Sequence, residues 1–109
     1  MVYICSKYAG DVMNNIISAR DYCRFAAMSG YIPVASHLLF TQFLHDENPD
    51  ERRLGLFFGN ILMDKCDEVW IFGVELSAGM KAEYDRAKRK GYKIRRFTTD
   101  CREVTAHGH

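Results

Sequence analysis

A short apolar run that stops at a glycine and reopens as a helix, Val69 to Gly91, constrains this chain more than any other stretch. Val69-Trp70-Ile71-Phe72 mixes β-branched and aromatic residues with no polar alternation, which suits a strand covered on both faces. Gly73 breaks the run, and Ser77-Ala78-Gly79-Met80-Lys81-Ala82-Glu83 opens a helix that ends near Gly91. In a parallel α/β sheet such a turn lies at the carboxyl ends of the strands, where ligands bind. Glu83 falls in the first or second turn of that helix. Its side chain leans back toward the helix start, where the dipole favours the ionised form. Spacing alone leaves two readings open: an active carboxylate, or a surface glutamate pairing with Lys81, Arg86 or Lys90.

The rest of the chain repeats the strand-helix alternation. Val2 to Cys5 reads as a first strand, and Ser6-Lys7-Tyr8-Ala9-Gly10 as a small-residue loop. Asp11 caps a helix whose stripe is Met13, Ile16, Ile17 and Cys23 and whose end is Ser29-Gly30. Tyr31 to Val34 is a second strand, placed at an edge or a strand end by Pro33. Ala35 to Asn48 is irregular yet carries Leu38, Leu39, Phe40, Phe43 and Leu44, so it is expected to fold over the core or onto another subunit. Asn48-Pro49-Asp50-Glu51 starts a helix with Leu54, Phe57, Phe58, Ile61 and Leu62 on one face. Glu68 to Phe72 and Tyr92 to Phe97 complete four strands. The pattern predicts a three-layer, flavodoxin-like α/β fold with a parallel sheet in the order 2-1-3-4. Residues 1–97 form the domain, and 98–109 a terminal segment and tail.

Composition narrows the function classes. A chain of 109 residues with a net charge of +1 gives no electrostatic reason for a nucleic-acid polymer or an anionic membrane as partner. No apolar run approaches the roughly 20 residues that span a bilayer, and Met1 to Cys5 reads as a strand, not a signal peptide. Cys5, Cys23, Cys66 and Cys101 are widely spaced, as expected of reduced thiols in a cytoplasmic protein. His45, His107 and His109 make no ligand spacing, so neither metal nor organic cofactor is expected, and His107-Gly108-His109 reads as an exposed tail. Lys88-Arg89-Lys90 with Arg95-Arg96 reads as a solvated basic face, with phosphate steering as the alternative. The apolar excess from Leu38 to Leu44 and on the Leu54 helix predicts a homodimer or larger homo-oligomer.

The loops Ser6 to Gly10 and Gly73 to Gly79 should meet at one sheet edge, both leading into helix N-termini that suit a phosphate or sugar. Neither is a Walker A or a G-x-G-x-x-G. His37, just past the second strand, belongs to the same edge. It could protonate a leaving base, bind phosphate, or be a loop histidine satisfied by backbone.

Four stretches carry a resemblance. They are Tyr3-Ile4-Cys5-Ser6-x-Tyr8-Ala9-Gly10-Asp11, Ser36-His37-Leu38-Leu39-Phe40, Cys66 to Gly73, and Ser77-x-Gly79-Met80-x-x-Glu83-x-x-x-Ala87. With them the chain resembles the nucleoside 2-deoxyribosyltransferase-like superfamily, including the 2-deoxynucleoside 5-monophosphate N-glycosidases, and looks closest to a bacterial and phage branch of it. The resemblance implies that Glu83 attacks the anomeric carbon of a nucleoside or nucleotide, six residues after a phosphate-contacting Ser77. A covalent glycosyl ester then passes to water or to a second base. By the same matching, Ser77 and the N–H groups near Gly79 and Met80 hold a 5-phosphate or the sugar hydroxyls, and Ser6, Tyr8 and Gly10 line the ligand. Tyr8 either orients Glu83 or keeps its hydroxyl in water. Family enzymes often carry an acid on the helix before the third strand; here Gly59 and Asn60 stand at that place, with Asp64 a turn later. The departure leaves a second reading open, a nucleotide-metabolite binding protein of the same fold that does not cleave. Lys7 stands where the close branch more often has proline.

Overall fold

The computed structural model describes residues 1–104; the tail with His107 and His109 lies outside the described residues. Its elements are β1 (Val2–Cys5), α1 (Val12–Met28), β2 (Pro33–Val34), α2 (Ser36–Leu39), a 3₁₀ turn (Phe40–Gln42), α3 (Pro49–Asp64), β3 (Glu68–Phe72), α4 (Ala78–Arg89), β4 (Lys93–Phe97) and β5 (Glu103–Val104).

The five strands form one sheet in the order β2-β1-β3-β4-β5. The first four run parallel, whereas β5 pairs with β4 antiparallel, Arg96 opposite Val104 and Phe97 opposite Glu103. The sheet is therefore mixed, not the purely parallel flavodoxin arrangement expected. The reason is local: Thr98 to Arg102 turns the chain back on itself, closed by bonds between Thr98 and Arg102 and between Cys101 and Thr98. A strand reached by so short a turn can only run antiparallel to its neighbour, because a parallel return needs a crossover of about a dozen residues or more.

Strand composition follows position. Central β1 is buried at every residue and β3 at all but its first, so both read as unbroken apolar runs. Edge strand β2 has two residues and carries Pro33. Helix starts are capped as their sequences dictate: Asp11 accepts from the Asn14 N–H, Asn48 from those of Asp50 and Glu51, and Ser77 from that of Met80.

On one face of the sheet, α1 covers Val2, Ile4, Trp70, Phe72 and Phe97 with Tyr22 and Ala26. The aromatic rings of Tyr22 and Phe72 stack at 4.2 Å, and those of Phe72 and Phe97 at 4.9 Å. On the other face, α3 and α4 bring Met63, Met80 and Ala87 against Tyr3, Cys5, Val69 and Ile71.

Three expectations change. The α1 stripe faces inward only in part: Ile16 is half-buried and Cys23 packs against the core, but Met13 and Ile17 are exposed, and Ala19, Tyr22 and Ala26 are the buried residues. On α3, Leu54, Phe57 and Ile61 are exposed and the inward face is Gly59 and Met63. Residues 35–48 are not irregular throughout, because α2 and the 3₁₀ turn occupy their first half; Leu39 and Phe43 there stay exposed. In addition, Arg95 and Arg96 are not part of a solvated face. Arg95 lies 4.7 Å over the Trp70 ring and pairs with Glu103 at 2.7 Å, while Arg96 is half-buried and bonds the Gly73 carbonyl at 3.4 Å. Among the described residues, no helix is long and apolar enough to cross a membrane.

Candidate functional site

Because β1 leads to β2 on one side and the chain then crosses to β3 on the other, the loops after β1 and β3 diverge at the carboxyl end of the sheet. A cavity of about 580 Å³ opens there, within the size range of small-molecule sites. The loop after β1 supplies Ser6 and Tyr8; α2 and the following turn supply Ser36, His37 and Phe40. From α3 come Leu56, Gly59 and Asn60, and from the start of α4 come Ser77, Gly79, Met80 and Glu83. Of the residues singled out in the sequence, Glu83, Tyr8, Ser6, His37, Asn60, Ser77, Gly79 and Met80 all line this cavity. Gly10 is different: it does not line the cavity, and its φ of +96° serves the turn into α1.

Glu83 is held from the sheet. Tyr3 and Cys5 are two residues apart on β1, so their side chains rise from the same face. The Tyr3 hydroxyl donates to Glu83 Oε2 at 2.5 Å, and the Cys5 thiol donates to Oε1 at 3.1 Å. Burial, reinforced by the neighbouring Glu83 charge, pushes both the Tyr3 hydroxyl and the Cys5 thiol well above their ordinary pKa values. Both therefore stay protonated and act as donors. A tyrosine has one proton to give, so the Ser36 hydroxyl, 2.9 Å from the Tyr3 oxygen, must be the donor in that pair. The chain of bonds runs from Ser36 to Tyr3 to Glu83.

This corrects the role expected of Tyr8. Its hydroxyl makes no bond to Glu83 among the described residues; its ring stacks on His37, centroids 4.8 Å apart. The sequence held the signal for Tyr3: a tyrosine inside a wholly buried strand must place its hydroxyl against a partner. Helix α3 passes this hydroxyl at Gly59, where a Cβ would stand 3.4 Å from the tyrosine oxygen and 3.6 Å from Ser36, in ordinary contact with both.

The start of α4 is open to an anion. Ser77 Oγ accepts from the Met80 N–H at 3.3 Å, so that amide is taken and does not serve a ligand as expected. The N–H groups of Ala78 and Gly79 have no partner among the described residues, and a Cβ on Gly79 would meet nothing within 4 Å. His37 is half-buried, and burial lowers its pKa from the ordinary histidine value although Glu83 and a bond to the Ser6 backbone oppose the shift. The shift favours the neutral imidazole.

Asp64 lies outside the cavity. It takes a bidentate pair from Arg86 at 2.8 and 2.9 Å and a bond from the Tyr92 hydroxyl at 2.5 Å. Arg86, which itself lines the cavity, also reaches the Asn60 carbonyl at 3.3 Å, tying α3 to α4 at the cavity wall. Among the described residues, no three histidine, cysteine or acidic side chains gather as a metal site, and all four cysteines are free thiols.

Residues 1–97 match a family model described as "Domain of unknown function (DUF7768)". No curated protein and no solved structure matches the chain.

Proposed function

We propose that this chain, which belongs to the DUF7768 family, is a nucleoside or nucleotide N-glycosidase or deoxyribosyltransferase with Glu83 as nucleophile. The observation that carries the reading is the Glu83 carboxylate at the cavity wall, each oxygen held by a buried donor of β1, one turn inside an open helix N-terminus. Two fixed hydrogen bonds restrict the carboxylate to one orientation before substrate arrives, which lowers the entropy cost of reaching the transition state. A phosphate or sugar hydroxyl accepts bonds from the Ala78 and Gly79 amides and from the Ser77 hydroxyl, leaving the anomeric carbon over Glu83.

Attack by a Glu83 oxygen forms a C–O ester bond as the glycosidic C–N bond breaks, and the base leaves with the electron pair. Water, or a second base, then adds to the anomeric carbon and returns the carboxylate. Neutral His37, beside its stacking partner Tyr8, accepts a proton from that water or bonds the departing base. The exposed apolar residues of α3 support a homodimer or larger assembly.

A second reading is supported by what stands on α3. Gly59 and Asn60 cannot protonate a leaving base, which favours a protein that captures a nucleotide-like metabolite without cleaving it.

Base release from a panel of nucleosides, nucleotides and ADP-ribose derivatives, followed by chromatography, separates the two. Release that falls on the order of 10³-fold or more in Glu83→Ala supports the glycosyl route. Tight retention of one compound without release supports capture.

A further inference from the structure

We propose that Cys5 is a positioning residue for Glu83, holding the carboxylate oxygen that Tyr3 does not hold; the proposal rests on the reading of Glu83 as nucleophile. The face of β1 and β3 beneath Glu83 is otherwise apolar. Tyr3 pairs in register with Val69 and Cys5 with Ile71, so the two β1 side chains are the donors this face offers. Cys5 is fully buried, and its sulfur is 3.1 Å from Glu83 Oε1 but 3.9 Å from the Met80 carbonyl, the alternative acceptor. The closer and charged acceptor takes the S–H bond, because bonds to ionised groups are the stronger.

The geometry has a consequence for reactivity. A carboxylate held at one oxygen can pivot about that bond and present its free oxygen at many angles. Held at both oxygens from below, it keeps its remaining lone pairs directed up into the cavity. The thiol suits the second position because it donates weakly. It fixes the oxygen without drawing off as much of the electron density that the attack requires.

The test reads the thiol directly. The S–H stretching band of Cys5 is isolated in the infrared difference between wild type and Cys5→Ser. It is expected at lower frequency than the bands of the other thiols, and to rise in Glu83→Leu, with a smaller rise in Glu83→Gln should the leucine variant fold poorly. A band that does not move in either variant overturns the proposal. In the turnover assay, Cys5→Ala is expected to lower kcat about 10-fold with little change in KM, and Cys5→Ser to restore most of it. An unchanged kcat in Cys5→Ala also overturns it. If no compound is cleaved by the wild type, the glycosyl reading fails, and the infrared shift alone decides whether Cys5 holds Glu83.

Discussion

Tyr3 has a single proton, and where it goes decides the state of three side chains. It goes to Glu83, which obliges Ser36 to donate in turn. Tyr3→Phe keeps the ring packing and removes the hydroxyl, leaving Glu83 Oε2 and the Ser36 hydroxyl without that partner. Turnover is expected to fall about 10- to 100-fold, with stability lowered by roughly 1–3 kcal/mol. Paired rate measurements and urea titrations check both. The helix that opens at Ser77 and carries Glu83 near its positive end was legible in the sequence, because Gly73 ends the apolar strand shortly before it; that Ser77 caps this helix is seen only in the structure. The tyrosine was misread for a physical reason. Tyr8 lies in a loop near the expected ligand, whereas Tyr3 looks like core until its hydroxyl is asked for a partner.

The element scale is governed by how α3 and α4 sit on the sheet. Their contact is fixed by Asp64, which takes Arg86 and Tyr92 from across the gap. Hydrogen bonds from Arg86 hold the Asp64 carboxyl well below the usual carboxylate range, with Tyr92 adding to the effect. A depressed folded pKa means the unfolded chain binds the proton first. The stabilisation is therefore complete above about pH 4 and is lost as pH falls below it. In Asp64→Asn the loss of stability between about pH 4 and pH 2 is expected to be shallower, as read from urea midpoints across that range. Periodicity placed α3 correctly but not its orientation. The helix carries a wide apolar stripe at Leu54, Phe57 and Ile61, yet it seats its narrow side, Gly59 and Met63, on the strands. Hydrophobic spacing reports that a face is apolar; it does not report which neighbour covers it.

For the whole molecule, the same stripe is left over. Leu54, Phe57 and Ile61 on α3, with Leu39 and Phe43 nearby in sequence, are exposed in a single chain of 12.6 kDa. Light scattering at micromolar concentration is expected to give a mass above that of one chain, and Phe57→Glu to return it toward 12.6 kDa. A wild-type monomer would count against association. The parallel direction of the first four strands was legible because each crossover needs a helix, and their order 2-1-3-4, which came with the flavodoxin-like reading, matches the sheet. Strand β5 was not, because two exposed residues, Glu103 and Val104, carry no periodic signal. The sheet also divides the molecule optically. Its one tryptophan, Trp70, is packed with Phe25, Phe72 and Phe97 on the α1 side, while the cavity opens above Tyr3 and Met80 on the other. Indole emission thus reports whether the domain is folded and is nearly blind to whether the cavity is filled, so a ligand search read by tryptophan fluorescence would overlook a compound that binds.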